Sequence, residues 1–154
     1  MLYVAALYLH SWLRWIVLGL TVATFARAVA GLLGKKAWGP SDRKLVRFFV
    51  AAFDIDVLVG LVLYGVSGVT PKSMADLHDC MHIAVLRFFA VEHATFAVFA
   101  LVAAHVASVA ARRATTDPAR WKRLAIGSGI ALALVLATIP WPMLAYGRPL
   151  FRLS

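Results

Sequence analysis

Eight ionisable residues interrupt stretches of chain that are otherwise almost wholly apolar: His10, Arg14, Asp54, Asp56, Arg87, Glu92, His93 and His105. An ionisable group in hydrocarbon is costly, so it normally faces the interior of a bundle, finds a partner there and marks a functional position. At a rise of about 1.5 Å per helical residue, His10 falls about 12 Å from the outer end of its segment, Glu92 and His93 about 15 Å, Arg14 and Asp56 about 18 Å, and Arg87 about 6 Å. Two layers follow, an outer one of His10, Glu92 and His93 and a deeper one of Arg14 and Asp56. Two neutral imidazoles of similar depth on facing helices are the donor set of a b-type haem, which makes His10 and His93 the expected axial ligands. Glu92 or Asp54 would accept the second ring N–H of a ligand and hold its tautomer. Arg87 would suit a propionate, and His82 shares the helical face of His93 with Phe89 between them.

The same residues support other chemistry. Arg14, Arg87, Asp54, Asp56 and Glu92 would also serve as a buried ion-pair network that fixes helix register, in a cofactor-free membrane subunit. Asp54 and Asp56 stand about 200° apart on a helix, so at most one of them can pair with Arg14. His105 reads as a structural residue, since no other histidine lies in the inner half to share a ligand task. A proton path through Asp54, Asp56, Arg14, Glu92 and His93 would need entries from both sides, and the chain past His105 offers no obvious continuation. Met74, His78 and His82 fall at helical spacing beside Cys80 and Met81, a soft donor set that copper(I) favours, at the outer face.

The elements that position these residues follow from composition. The 154 residues are 62% hydrophobic and 15% charged, with a mean hydropathy of +0.82, outside the range of soluble domains. We expect an all-α, four-transmembrane-helix bundle with up-down-up-down topology, a single membrane domain with spans at about 2–33, 44–66, 82–111 and 119–139. Gly34 to Pro40 reads as a helix stop and turn, Ser67-Gly68 and Thr70-Pro71 as a second loop, and Thr116-Asp117-Pro118 as an N-cap with proline at the first helical position. Ala28-Val29-Ala30 looks like a signal-peptidase pattern, but positive charge follows rather than precedes the apolar run, so the segment reads as a retained helix. The formal charge of +9 is concentrated in the first and third loops, which places those loops in the cytoplasm and both termini outside, in a bacterial inner membrane. Lys72 is balanced by Asp76 and Asp79 in the second loop, and the tail carries only Arg148 and Arg152. Tyr3, Tyr8, Trp12, Trp141 and Tyr146 would form an outer aromatic belt. Nucleic acid is excluded as a partner because the basic residues flank apolar spans. The fourth helix, with only Ser128 and Thr138 besides small packing residues, reads as a structural wall.

The segments His10-Ser11-Trp12-Leu13-Arg14-Trp15, Leu86-Arg87-Phe88-Phe89-Ala90-Val91-Glu92-His93 and Ile139-Pro140-Trp141-Pro142 resemble those of small four-helix bacterial membrane proteins commonly labelled cytochrome b-like. The resemblance spans nearly the whole chain and implies haem b, with His10 and Arg14 matching the motif of the first helix and Arg87, Glu92 and His93 that of the third. One departure is Asp54, where the second helix of such proteins often carries a histidine. A single outer-half haem would exchange electrons with an outer-side carrier or with quinol, as an accessory to the other membrane subunits of a respiratory or photosynthetic redox complex.

Overall fold

The structure is a computed structural model that describes residues 1–72 and 74–151, and the described residues are all helix and connecting loop. Five helices follow one another: α1 (Leu2–Leu33), α2 (Pro40–Val66), α3 (Met74–His82), α4 (Ala84–Arg113) and α5 (Asp117–Thr138). Three of them, α1, α4 and α5, are long and apolar enough to cross a membrane. The short α3 is an addition to the expected four, lying in the stretch read as an outer loop.

The four long helices form a closed ring in the order α1, α2, α4, α5, with the tightest seam between α4 and α5 and the loosest between α2 and α4. Ala28 late in α1, Val46 early in α2, Ala111 late in α4 and Trp121 early in α5 share one core cluster, so successive long helices run antiparallel. Alanines make the tight seam possible. Ala100, Ala104, Ala107 and Ala111 recur every three or four residues along α4 and are all buried, opposite Gly127 and Ser128 of α5. A Cβ at Gly127 would stand 2.4 Å from Ala107 Cβ, so the two backbones approach as closely as small residues allow. Gly31 plays the same part against Trp121, whose indole would lie 2.4 Å from an added Cβ.

Helix ends follow the sequence signals. Beyond α1, the Lys36 and Lys35 N–H groups donate to the Gly31 and Leu32 carbonyls, at 3.0 and 3.4 Å. Lys35 takes the left-handed conformation, φ 47°, that glycine fills more cheaply in this motif. Pro40 opens α2, and the Gly39 N–H donates to Asp42 Oδ2 at 2.8 Å. Asp42 also accepts from Arg27 Nε at 2.7 Å, and Arg27 lies over Trp121, whose own indole N–H donates to the Lys36 carbonyl at 2.7 Å. One end of the bundle is thereby cross-linked. At the other end Lys72 Nζ donates to the Tyr64 and Gly65 carbonyls, satisfying acceptors that the end of α2 leaves without helical partners.

The expected third span, a helix from His82, is present as α4 from Ala84, with two irregularities near its start. Ile83 adopts an extended conformation, φ −114° and ψ 112°, which separates α3 from α4. Residues Phe88–Glu92 then form a π turn inside α4, closed by the His93 N–H on the Phe88 carbonyl. Neither interruption contains proline or glycine, so ordinary punctuation does not announce them.

We expect Gly127→Val to overpack the α4–α5 seam and destabilise the bundle by about 1–3 kcal/mol. Gly65→Ala, where nothing lies within 4 Å of an added Cβ, should leave stability unchanged or slightly raised. The thermal unfolding midpoint of the detergent-purified variants checks both.

Candidate functional site

Between the long helices, in the half of the bundle that holds the start of α1, lies a cavity of about 350 Å³. Its α1 wall runs from Tyr3 to Val17, about 21 Å of helix at the usual rise. Most of the lining is apolar, and a few polar groups converge on it: His10, Arg14, Asp56, His93 and, from the carboxyl-terminal segment, Arg148. That composition is typical of a small-molecule or cofactor site.

His10 and His93, expected at similar depth, do meet. Their ring centres are 5.9 Å apart with planes at 83°. His93 Nδ1 is 2.8 Å from the Thr138 carbonyl oxygen; a carbonyl only accepts, so Nδ1 carries the proton and Nε2 is the basic nitrogen. His10 Nδ1 is 2.8 Å from Asp56 Oδ1, with both side chains largely buried at 17% and 14% exposure. The contact does not meet the geometry of a hydrogen bond, and among the described residues these two atoms have no other hydrogen-bond partner. Each imidazole thus has an oxygen 2.8 Å from Nδ1, a backbone carbonyl for His93 and a carboxylate for His10, and Nδ1 contacts of this kind orient ligating histidines.

The backbone explains this geometry. The π turn before His93 rephases α4, so that Arg87 and Glu92, five residues apart and on different faces of a regular α-helix, pair at 2.8 Å through Arg87 Nε and Glu92 Oε1. The Tyr64 hydroxyl reaches across from α2 to donate to the Ala90 carbonyl within that turn, at 2.9 Å. Gly60 presents bare backbone to the His10 ring, where an added Cβ would stand 3.4 Å from Cε1.

Other expected site residues lie elsewhere. Arg87 and Glu92 are engaged with one another outside the cavity lining, and His82 ends α3, its ring 5.0 Å from that of His78. The carboxylate at His10 is neither Glu92 nor Asp54 but Asp56. Counted from the end of α2 at Val66, Asp56 is about 15 Å deep, within one helical turn of the depth of His10, so the two supposed layers merge. Asp54 faces away, as the 200° phase difference requires, and its Oδ1 is 2.7 Å from His105 Nε2; His105 thus has a specific polar partner. Arg14 donates to the Leu150 carbonyl at 2.7 Å, alongside Trp15 Nε1 at 3.1 Å. The segment expected to stay at the outer surface therefore folds back along α1, with Phe151 stacked on Trp15 at 5.1 Å. Arg148 stands over Phe89 at 5.4 Å and takes the rim position expected of Arg87. Tyr146, expected in the interfacial belt, stacks on Phe88 at 3.8 Å.

The soft donor set is described only in part. His78 and His82 share a face of α3, whereas Cys80, about 200° away, is buried; the Met74 side chain and Arg152 lie outside the described residues. Among the described residues no group of three or more His, Cys, Asp or Glu is placed to hold a metal ion. No protein-family model, curated protein or solved structure matches the chain.

We expect side-chain ¹⁵N NMR to show His93 in the Nδ1–H tautomer. Asp56→Ala should change the His10 resonances strongly and those of His93 far less. Removing one partner of a largely buried pair should also cost roughly 3–5 kcal/mol of stability.

Proposed function

We propose that the protein is a bacterial inner-membrane protein of four spans, with both termini outside, that holds one haem b between His10 and His93 and transfers single electrons within a larger redox complex. The observation that carries this reading is the pair of imidazoles in a mostly apolar cavity, each with an oxygen 2.8 Å from Nδ1, with ring centres 5.9 Å apart. Two ligands and no third is what haem requires of a protein, since the macrocycle supplies the remaining donors, so the lack of a three-residue metal cluster among the described residues does not count against it.

When bound, the haem supplies a one-electron ferric/ferrous couple. The residues of the chain do the rest. Asp56 and the Thr138 carbonyl orient the two imidazoles and raise the basicity of the ligating nitrogens. Arg14 and Arg148, at two levels of the same cavity, supply positive charge for the carboxylates of the ligand. Val17, Phe53, Val57 and Val135 wall the cavity, exclude water and keep the local dielectric low. The fourth span is α2, whose 27 residues are ample for the hydrocarbon thickness and whose Asp54 and Asp56 both have partners. The orientation rests on the basic residues around 35–47 and 112–123, set against the sparser charge of the opposite end.

A second reading, a cofactor-free subunit, is favoured by one observation. Asp54 and His105 are 44% and 49% exposed on the outside of the α2–α4 seam, where a polar partner chain would cover them.

The visible spectrum of the detergent-purified protein, dithionite-reduced minus oxidised, should show a b-type α-band that is lost in both His10→Ala and His93→Ala. Arg87→Ala should retain it. A colourless, folded wild type from haem-replete cells would overturn the haem reading.

A further inference from the structure

The end of the bundle opposite the cavity carries a second concave surface. It is an open groove of about 450 Å³ between α4 and α5, lined by His105, Val106, Val109, Ala110, Arg113 and Arg123. Five of the six lie on α4, where Val106, Val109 and Arg113 share one face, and Arg123 comes from α5. Toward the middle of α4 the lining is apolar, with Val106 60% exposed, and toward the end of α4 it carries two guanidinium groups.

Arg123 is positioned rather than loose. Its Nη1 donates to the Ala110 carbonyl at 3.0 Å, one of the four carbonyls that the end of α4 leaves without helical partners. The guanidinium is thereby fixed at the charged end with further N–H donors on a rigid planar fork. Arg113, one turn further along α4, lines the same end. The nearby carboxylates are engaged: Asp54 with His105 at 2.7 Å, and Asp117 with Arg120 at 2.7 Å. His105 stands about 12 Å along α4 from the level of Arg113, so the groove runs from a charged end past the exposed Val106 and the half-buried Val109 over a distance comparable to a headgroup and the upper part of an acyl chain.

We infer that this groove is a binding site for an anionic phospholipid, with the phosphate held by Arg113 and Arg123 and an acyl chain lying along Val106 and Val109. Basic pockets between helices on the cytoplasmic side of a membrane are suited to such headgroups. A soluble phosphate would gain nothing from the apolar lining, and a zwitterionic lipid would place its own cation against the two arginines. The inference rests on the membrane-spanning reading and is independent of haem.

The competing explanation is diffuse charge, because ten of the chain's 16 lysines and arginines lie in residues 35–47 and 112–123. Native mass spectrometry of the full-length protein, released from detergent containing equal phosphatidylglycerol and phosphatidylcholine, separates the two. We expect the wild type to retain phosphatidylglycerol preferentially, and Arg113→Gln with Arg123→Gln to reduce that preference on the order of tenfold. Lys35→Gln with Lys36→Gln, which removes the same charge from the same end, should leave it within about twofold. Val106→Trp with Val109→Trp fills the groove without touching a charge and should also abolish the preference, which covers the case in which the arginine variant fails to fold. Equal losses in the lysine and arginine pairs, an unchanged preference in the tryptophan pair, or displacement of the lipid by millimolar inorganic phosphate would each overturn the site. None of these readouts depends on colour, so a failure of the haem reading would be seen separately.

Discussion

A polar side chain placed among apolar helices has no water to fall back on, and that constraint organises this molecule. The ionisable groups of the long helices meet specific partners: His10 lies against Asp56, His93 against the Thr138 carbonyl, Arg14 against the Leu150 carbonyl and, at the half-exposed α2–α4 seam, Asp54 against His105. Three of these partnerships join different helices of the ring and that of Arg14 ties down the carboxyl-terminal segment. The polar residues that mark the candidate site therefore also hold the helices in register. Non-directional packing alone would tolerate sliding of one alanine-lined helix along another, whereas a 2.8 Å contact between side chains on two helices does not.

Small residues supply the second condition. The α4–α5 seam closes through alanine and glycine, which brings the end of α5 against the start of α4 and delivers the Thr138 carbonyl to His93. The α2–α4 seam is looser, and there the contact is made by longer polar side chains, Asp54 with His105 and Tyr64 with the Ala90 carbonyl. The cavity lies where the ring is least tightly closed. Bulk distributed unevenly around a four-helix ring leaves space on one side without any separate feature to create it.

Much of the candidate site was legible beforehand. The depths of His10 and His93 were enough to bring them together, because both lie on long regular helices and a fixed rise converts sequence position into height. The phase difference between Asp54 and Asp56 correctly separated their roles. It did not say which faced His10, since that depends on where α2 ends. Arg87 and Glu92 pair with each other because the π turn adds a residue to one turn of α4 and rotates everything before it, and Phe88–Glu92 contains no residue type that signals the change. The return of residues 148–151 along α1 was equally hidden. Two arginines among mixed residues read as an outer tail, and only the Leu150 carbonyl poised over Arg14 and Trp15 shows otherwise.

The sequence by itself determined that the chain is helical and strongly apolar, where the long helices stop, which end is basic and which two histidines share a level. These properties are local, set by the hydropathy of one segment, the punctuation of one turn or the rise of one helix. Tertiary structure alone decided which carboxylate holds His10, that a backbone carbonyl holds His93, that Arg148 rather than Arg87 stands at the cavity, and that Arg123 closes the end of α4 beside Arg113. Each of these joins residues far apart in the chain through a rotation about a helix axis or an offset between helices, and an error of one residue in either turns a side chain by about 100°. Periodicity measures position along a helix well, but the angle between neighbours is fixed only when the helices are packed.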